Sequence, residues 1–241
     1  MKLGGEYMYT YNKKILFSDI DQGAKMSLAG IMNAMQDCVN INSESIGKGI
    51  DYLLETKRTW FAINWYIEIN RYPKMFEDVV VKTWPYDFSS SMGFRNVIME
   101  DMSGQVIVAA DSIWTLVDLD TGRPIRITED DTKGYDLEDK YSIENPGRKI
   151  KLPNEFELID TVAVKKSDID YNGHMSNGKY IQLADEYVPV ETHPSKIRVE
   201  YKSQSKLGEI LEVYKACQEN RTFIKIQGKD DGSVKAVVEL V

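Results

Sequence analysis

The chain has 241 residues, of which 42% are hydrophobic and 28% charged, ordinary values for a globular protein that buries a core of its own. Its net charge of −8 argues against a nucleic-acid partner, which needs a basic surface. No run approaches the ~18 apolar residues of a membrane span, and the first residues lack a signal peptide's apolar stretch, so no membrane span and a cytoplasmic location are expected.

In chain order, a strand is expected over 10–17, closing on Ile15, Leu16 and Phe17. A polar loop with Ser18, Asp19 and Asp21 follows. A helix is expected over 26–45, because Leu28, Ile31, Met32, Met35 and Val39 recur on one helical face. Ser27 suits its N-cap, and Gly47 and Gly49 its end. Strands are expected over 59–67, 79–84, 94–99 and 106–117, the second stopping at Pro85. Asp101, Met102, Ser103 and Gly104 form a hairpin turn between the last two. Residues 128–154 are polar and carry Gly134, Pro146, Gly147 and Pro153, which reads as a linker, free or crossing the fold as an ordered segment. A strand over 158–164, a second polar loop and a helix ending before Pro189 come next. Strands over 197–202, 210–216, 222–227 and 234–241 complete the chain.

The order therefore repeats, and so do the residues. Positions 18–27 lie over 167–176 without a gap, and six of the ten match: Ser18, Asp19, Ile20, Asp21, Met26 and Ser27. Each unit sets one long helix beside a largely antiparallel sheet, an α+β arrangement. Alone, each half would leave a sheet edge or helix face uncovered. Two halves in one chain cover it, and a homodimer is a further candidate assembly.

The copies differ where chemistry would sit. Asn172 and His174 correspond to Gly23 and Lys25, while Asp170 corresponds to Asp21. Asp170, Asn172 and His174 stand just before a helix N-terminus, whose free N–H groups favour negative charge. A carboxylate can orient and deprotonate water. An amide, an imidazole and N–H groups can hold a carbonyl oxygen as it gains charge. Together they suit hydrolysis of an activated acyl compound. The same residue types are also ordinary turn and cap chemistry, and Ser167 and Asp168 read that way because the first copy keeps them. Met26, Met32 and Met35 read as core filler or as the wall of an adaptable apolar tunnel. Cys38 and Cys217 are too few for a metal site, and neither metal nor cofactor is expected.

The run from Asp168 through Asp170, Asn172, His174, Asn177 and Tyr180 resembles the Asp-x-Asn-x-His-x-x-Asn-x-x-Tyr signature of acyl-acyl carrier protein thioesterases. Arg58, Thr59, Trp60 and Phe61, with Trp84 and Pro85, are placed as in that family, and the resemblance spans nearly the whole chain. It implies a tandem double hot-dog fold, each half a long helix wrapped by a curved antiparallel sheet. It implies an N-terminal hot dog over 1–130 with a degenerate loop and the acyl chain, a linker over 131–154, and a catalytic hot dog over 155–241. The implied reaction releases a free fatty acid from acyl carrier protein bearing a fatty-acyl phosphopantetheine. Asp170 would act on the water, and Asn172 and His174 would position the reactants and hold the oxyanion. Met32, Met35, Trp60 and Asn177 are the implied substrate contacts. One departure stands out: Gln204 and Ser205 occupy the positions of the family's usual Glu and the plant members' Cys. Gln204 can hold a water but cannot take its proton. An acyl-CoA thioesterase, a dehydratase and a non-catalytic acyl-binding protein are the competing readings.

Overall fold

The computed structural model describes residues 8–189 and 192–241. The first half contains β1 (Tyr9–Lys14), α1 (Leu28–Ser45), α2 (Ile50–Thr56), β2 (Arg58–Ile69), β3 (Asp78–Ser89), β4 (Met92–Asp101) and β5 (Val106–Asp118). After the short α3 (Glu129–Thr132), the second half contains β6 (Glu157–Ala163), α4 (Asn177–Asp185), β7 (Lys196–Tyr201), β8 (Ile210–Gln218), β9 (Arg221–Gly228) and β10 (Val234–Leu240). The strands form one ten-stranded sheet in the order β1-β3-β4-β5-β2-β7-β10-β9-β8-β6. Read inward from either edge, each half gives its first strand, then its third, fourth, fifth and second. The repeat seen in the residues is thus a repeat in space, the tandem hot-dog arrangement. The halves meet where β2 pairs antiparallel with β7, from Asn64 opposite Glu200 to Glu68 opposite Lys196.

Alternation along the strands sorts side chains onto two faces. In β4, Val97 and Met99 join the main core with α1 and with α4, which at nine residues is shorter than the long helix expected in each half, while Ile98 packs on the other side against Trp84 and Ala109. In β10, Ala236 and Val238 face the helices and Val237 faces away. Helix α1 buries Ile31, Met32, Met35 and Cys38 completely, each large side chain contributing about 1.5–3 kcal/mol. Ser27 caps it, accepting from Gly30 N at 3.0 Å. Gly30 lets the helix approach the loop before it: a Cβ there would stand 2.5 Å from the Asp19 carbonyl oxygen.

Residues 128–154 cross the fold as an ordered strap. Tyr141 and Ile143 cover Trp84, Ile98 and Ala109, and Ile150 packs on Phe223 and Val237. The strap backbone also satisfies buried polar groups of the sheet's far face: Trp84 Nε1 donates to Asp139 O at 3.0 Å, and Arg198 Nη2 to Lys149 O at 3.0 Å. Its polar composition reflects what it must bond to.

Several elements differ from expectation. Strand β1 ends at Lys14, before Ile15, Leu16 and Phe17, and Phe17 opens a short 3-10 turn with its side chain exposed. The short α3 inside the strap was not expected. Strand β3 does not stop at Pro85 but runs to Ser89, with a bulge between Pro85 and Asp87. Among the described residues its neighbour β1 pairs only as far as Thr83, so none of them requires the N–H that proline lacks. Helix α2 was not expected, because its seven residues are too few to show a helical period.

Candidate active site

The second polar loop is built by its own hydrogen bonds. Asp168 Oδ2 accepts from Lys165 N at 2.8 Å, and Asp168 O accepts from Ser176 N at 2.9 Å. Asp170 N donates to His174 O at 2.8 Å, and Gly173 takes the left-handed conformation (φ +77°) that the turn between them demands. Asp170 Oδ1 accepts from Asn172 N at 2.8 Å and from His174 N at 3.4 Å. Its Oδ1 is therefore committed to the turn, and among the described residues Oδ2 has no hydrogen-bond donor.

The loop is anchored on both sides. Met175 N donates to Ser205 O at 2.9 Å, and Tyr180 OH of α4 donates to Ser205 Oγ at 2.9 Å. Ser205 is fully buried and has a holding role here. His174 lies edge-to-face against Phe61 of β2, with ring centroids 6.3 Å apart. Burial lowers the pKa of His174 from 6.5, Asp170 opposes this, and Lys206 adds to it. The imidazole is accordingly neutral at pH 7, one ring nitrogen a donor and the other an acceptor. Its Nδ1 is enclosed and has no protein partner among the described residues.

Beside this loop lies a mostly apolar cavity of about 240 Å³ in the first half. The end of α1 (Val39, Ile41), α2 (Leu53), and Trp60, Phe88 and Trp114 of the sheet line it. Tyr171, between Asp170 and Asn172, belongs to the same wall. The polar loop of one half thus stands at an apolar cavity of the other.

The sequence candidates divide in the structure. Asp170, Asn172 and His174 come together in one turn. Trp60 lines the cavity, tilted against Phe88 at 6.2 Å. Met32 and Met35 do not line it; both are fully buried in the core, as filler. They lie on the apolar face of α1, but only the helix's later turns border the cavity. Asn177 points to the other helix, Nδ2 donating to Gln36 Oε1 of α1 at 3.1 Å, and it bridges α1 and α4 rather than facing the cavity. Gln204 is exposed, and its side chain makes no hydrogen bond to the loop among the described residues. Its place is nonetheless adjacent. Met26 N bonds to Pro73 O as Met175 N bonds to Ser205 O, so Gln204 is the counterpart of Tyr72, which borders the first loop. Tyr171 was missed, although it replaces Gln22 in the same comparison of copies that singled out Asn172 and His174. Among the described residues no cluster of His, Cys, Asp and Glu is placed to hold a metal ion, and both cysteines are free.

Residues 6–135 match the acyl-ACP thioesterase N-terminal domain, and residues 152–238 match the acyl-ACP thioesterase C-terminal domain. Acyl-[acyl-carrier-protein] hydrolase FATB1 of Cuphea viscosissima is 24% identical over 77% of this chain and 48% of its own length. Oleoyl-acyl carrier protein thioesterase 2 of Arabidopsis thaliana is 23% identical over 85% of this chain and 62% of its own. The chain thus spans about half to three-fifths of these relatives. The crystal structure of an acyl-ACP thioesterase from Bacteroides thetaiotaomicron superposes with a TM-score of 0.85 at 23% identity, covering 97% of both chains. The 12:0-ACP thioesterase from Umbellularia californica superposes at 0.86 with 18% identity, covering 97% of this chain and 96% of that one. Model matches over both halves, together with the shared architecture, establish that this chain belongs to the acyl-ACP thioesterase family.

Proposed function

We propose that this chain hydrolyses fatty-acyl thioesters carried on acyl carrier protein, releasing the free fatty acid. The observation that carries the reading is Tyr171: one residue of the polar loop is also a wall of the apolar cavity. An acyl chain in that cavity would bring its thioester carbonyl to Asp170, Asn172 and His174.

In this reading the first half, 1–130, holds the acyl chain and the second, 155–241, the chemistry, with 131–154 between them. Asp170 Oδ2 takes a proton from a water whose oxygen attacks the carbonyl carbon. The neutral His174 and the Asn172 amide donate to the carbonyl oxygen as it becomes an oxyanion. The C–S bond then breaks, the thiolate takes up the proton that Asp170 received, and the carboxylic acid leaves. Gln204, beside the loop, holds the water but cannot deprotonate it, so Asp170 is the base. No cofactor is needed for these steps.

The test is release of free thiol from carrier-protein and CoA thioesters of several chain lengths. Faster release from the carrier protein supports the reading. Faster release from CoA makes the chain an acyl-CoA thioesterase. Binding of acyl chains without release makes it an acyl-binding protein, the reading favoured by an amide at position 204.

A further inference from the structure

A buried cation in the cavity wall has no use in the chemistry just described. Arg95 of β4 is 6% exposed, and Nη1 donates to Asn42 Oδ1 at 2.7 Å and to Thr83 Oγ1 at 3.2 Å. Among the described residues it forms no ion pair, and Nε and Nη2 have no protein acceptor. These two nitrogens are not sealed in protein either, and the residue lines the cavity. The Tyr135 ring, 5.2 Å from the guanidinium carbon, offers its π-face. The nearby Cys38 thiol is pushed up to about 12 by burial, so it stays neutral and supplies no counter-charge. A desolvated guanidinium with no counter-ion is heavily penalised, and the penalty falls when an acceptor arrives.

We propose that Arg95 makes the cavity selective for acyl chains bearing a hydrogen-bond-accepting oxygen at their far end, a hydroxyl or a carboxylate, received by Nε and Nη2. The inference rests on the cavity being the acyl site. Trp60, Phe88 and Trp114 cover the methylenes of such a chain. A plain chain of the same length would displace water from the guanidinium and return nothing to its donors. A distal carboxylate, which accepts two parallel N–H bonds and brings the missing charge, is bound more tightly than a hydroxyl.

Titration calorimetry on the whole protein tests this with non-hydrolysable amide analogues of acyl-pantetheine, whose head carries no carboxylate to compete for Arg95. At each chain length the plain chain is compared with its ω-hydroxy and ω-carboxy forms. The oxygenated forms bind about tenfold tighter or more, and Arg95→Met removes the difference. Equal or weaker binding of the oxygenated forms, or no binding of any, overturns the inference in the wild-type protein alone, whether or not the variant folds. A preference that survives Arg95→Met overturns the assignment to Arg95. Failure of the enzymatic reading looks different: no thioester is hydrolysed, yet the binding preference remains.

Discussion

The two polar loops share a skeleton and differ in what they carry. In the first, Asp19 Oδ2 accepts from Leu16 N at 2.8 Å and Asp21 N donates to Lys25 O at 2.8 Å. Asp21 Oδ1 accepts from Gly23 N at 2.8 Å and Lys25 N at 3.1 Å, as Asp170 Oδ1 accepts from Asn172 N and His174 N. Both carboxylates therefore hold a turn, and a turn role alone does not distinguish a catalytic Asp from a structural one. What separates the loops is their surroundings. His174 meets Phe61, and Tyr171 of the same loop borders a mainly apolar cavity, whereas Asp21 meets His193, Oδ2 to Nε2 at 3.6 Å, at a cavity of about 590 Å³ that Asp185, Glu186 and Lys179 make polar. The cavity at one loop is mainly apolar and the cavity at the other is mainly polar.

The two loops part most clearly at their aspartates. Asp170→Asn keeps the Oδ1 acceptor of the turn but cannot take a proton, so kcat falls about 100-fold or more with little change in Tm. Asp21→Asn leaves the rate as it was. Equal rates in the two variants, measured by thiol release, would remove Asp170 from the mechanism. Trp60→Ala acts on the cavity instead. It is expected to raise KM about tenfold for chains that fill the site, with a smaller change in kcat.

Acidity gives a smaller effect. Burial holds the His174 pKa below its ordinary 6.5. Well above pH 6.5 both the folded and the unfolded chain hold this ring neutral. As pH falls, the unfolded chain takes the proton first, so stability declines until the folded pKa is passed. Tm followed from pH 7.5 to 5 should fall less steeply in His174→Gln than in the native chain. The smallest expected effect is that of a graft. Gly23→Asn with Lys25→His, placed in the Asp170→Asn background, restores no thiol release, because the cavity at the first loop is polar. Recovery of activity would mean that the loop alone suffices.

The skeleton was legible because it is written locally. Ser-Asp-Ile-Asp recurs, and its hydrogen bonds span a few residues. The loss of Asn and His from the first copy was legible for the same reason. The cavity was not, because its wall gathers Val39, Trp60, Arg95, Trp114 and Tyr171 from five separate elements. Helical period identified one face of α1, yet of Met32 and Val39 on that face, both in the core, only Val39 also borders the cavity. Periodicity reports which side of a helix is apolar, not where along its length the neighbouring sheet leaves a space. Helix α2, one wall of that space, is too short to show a period at all.

The seam between β2 and β7 joins two halves of a single chain. Where identical subunits meet about a twofold axis, any change in one loop appears in the other as well. Fusion lifts that constraint. Each half always finds the same partner in equal number, so a substitution at one mouth is not copied to its mate. Lys25 and His174, one place in two copies, record that freedom.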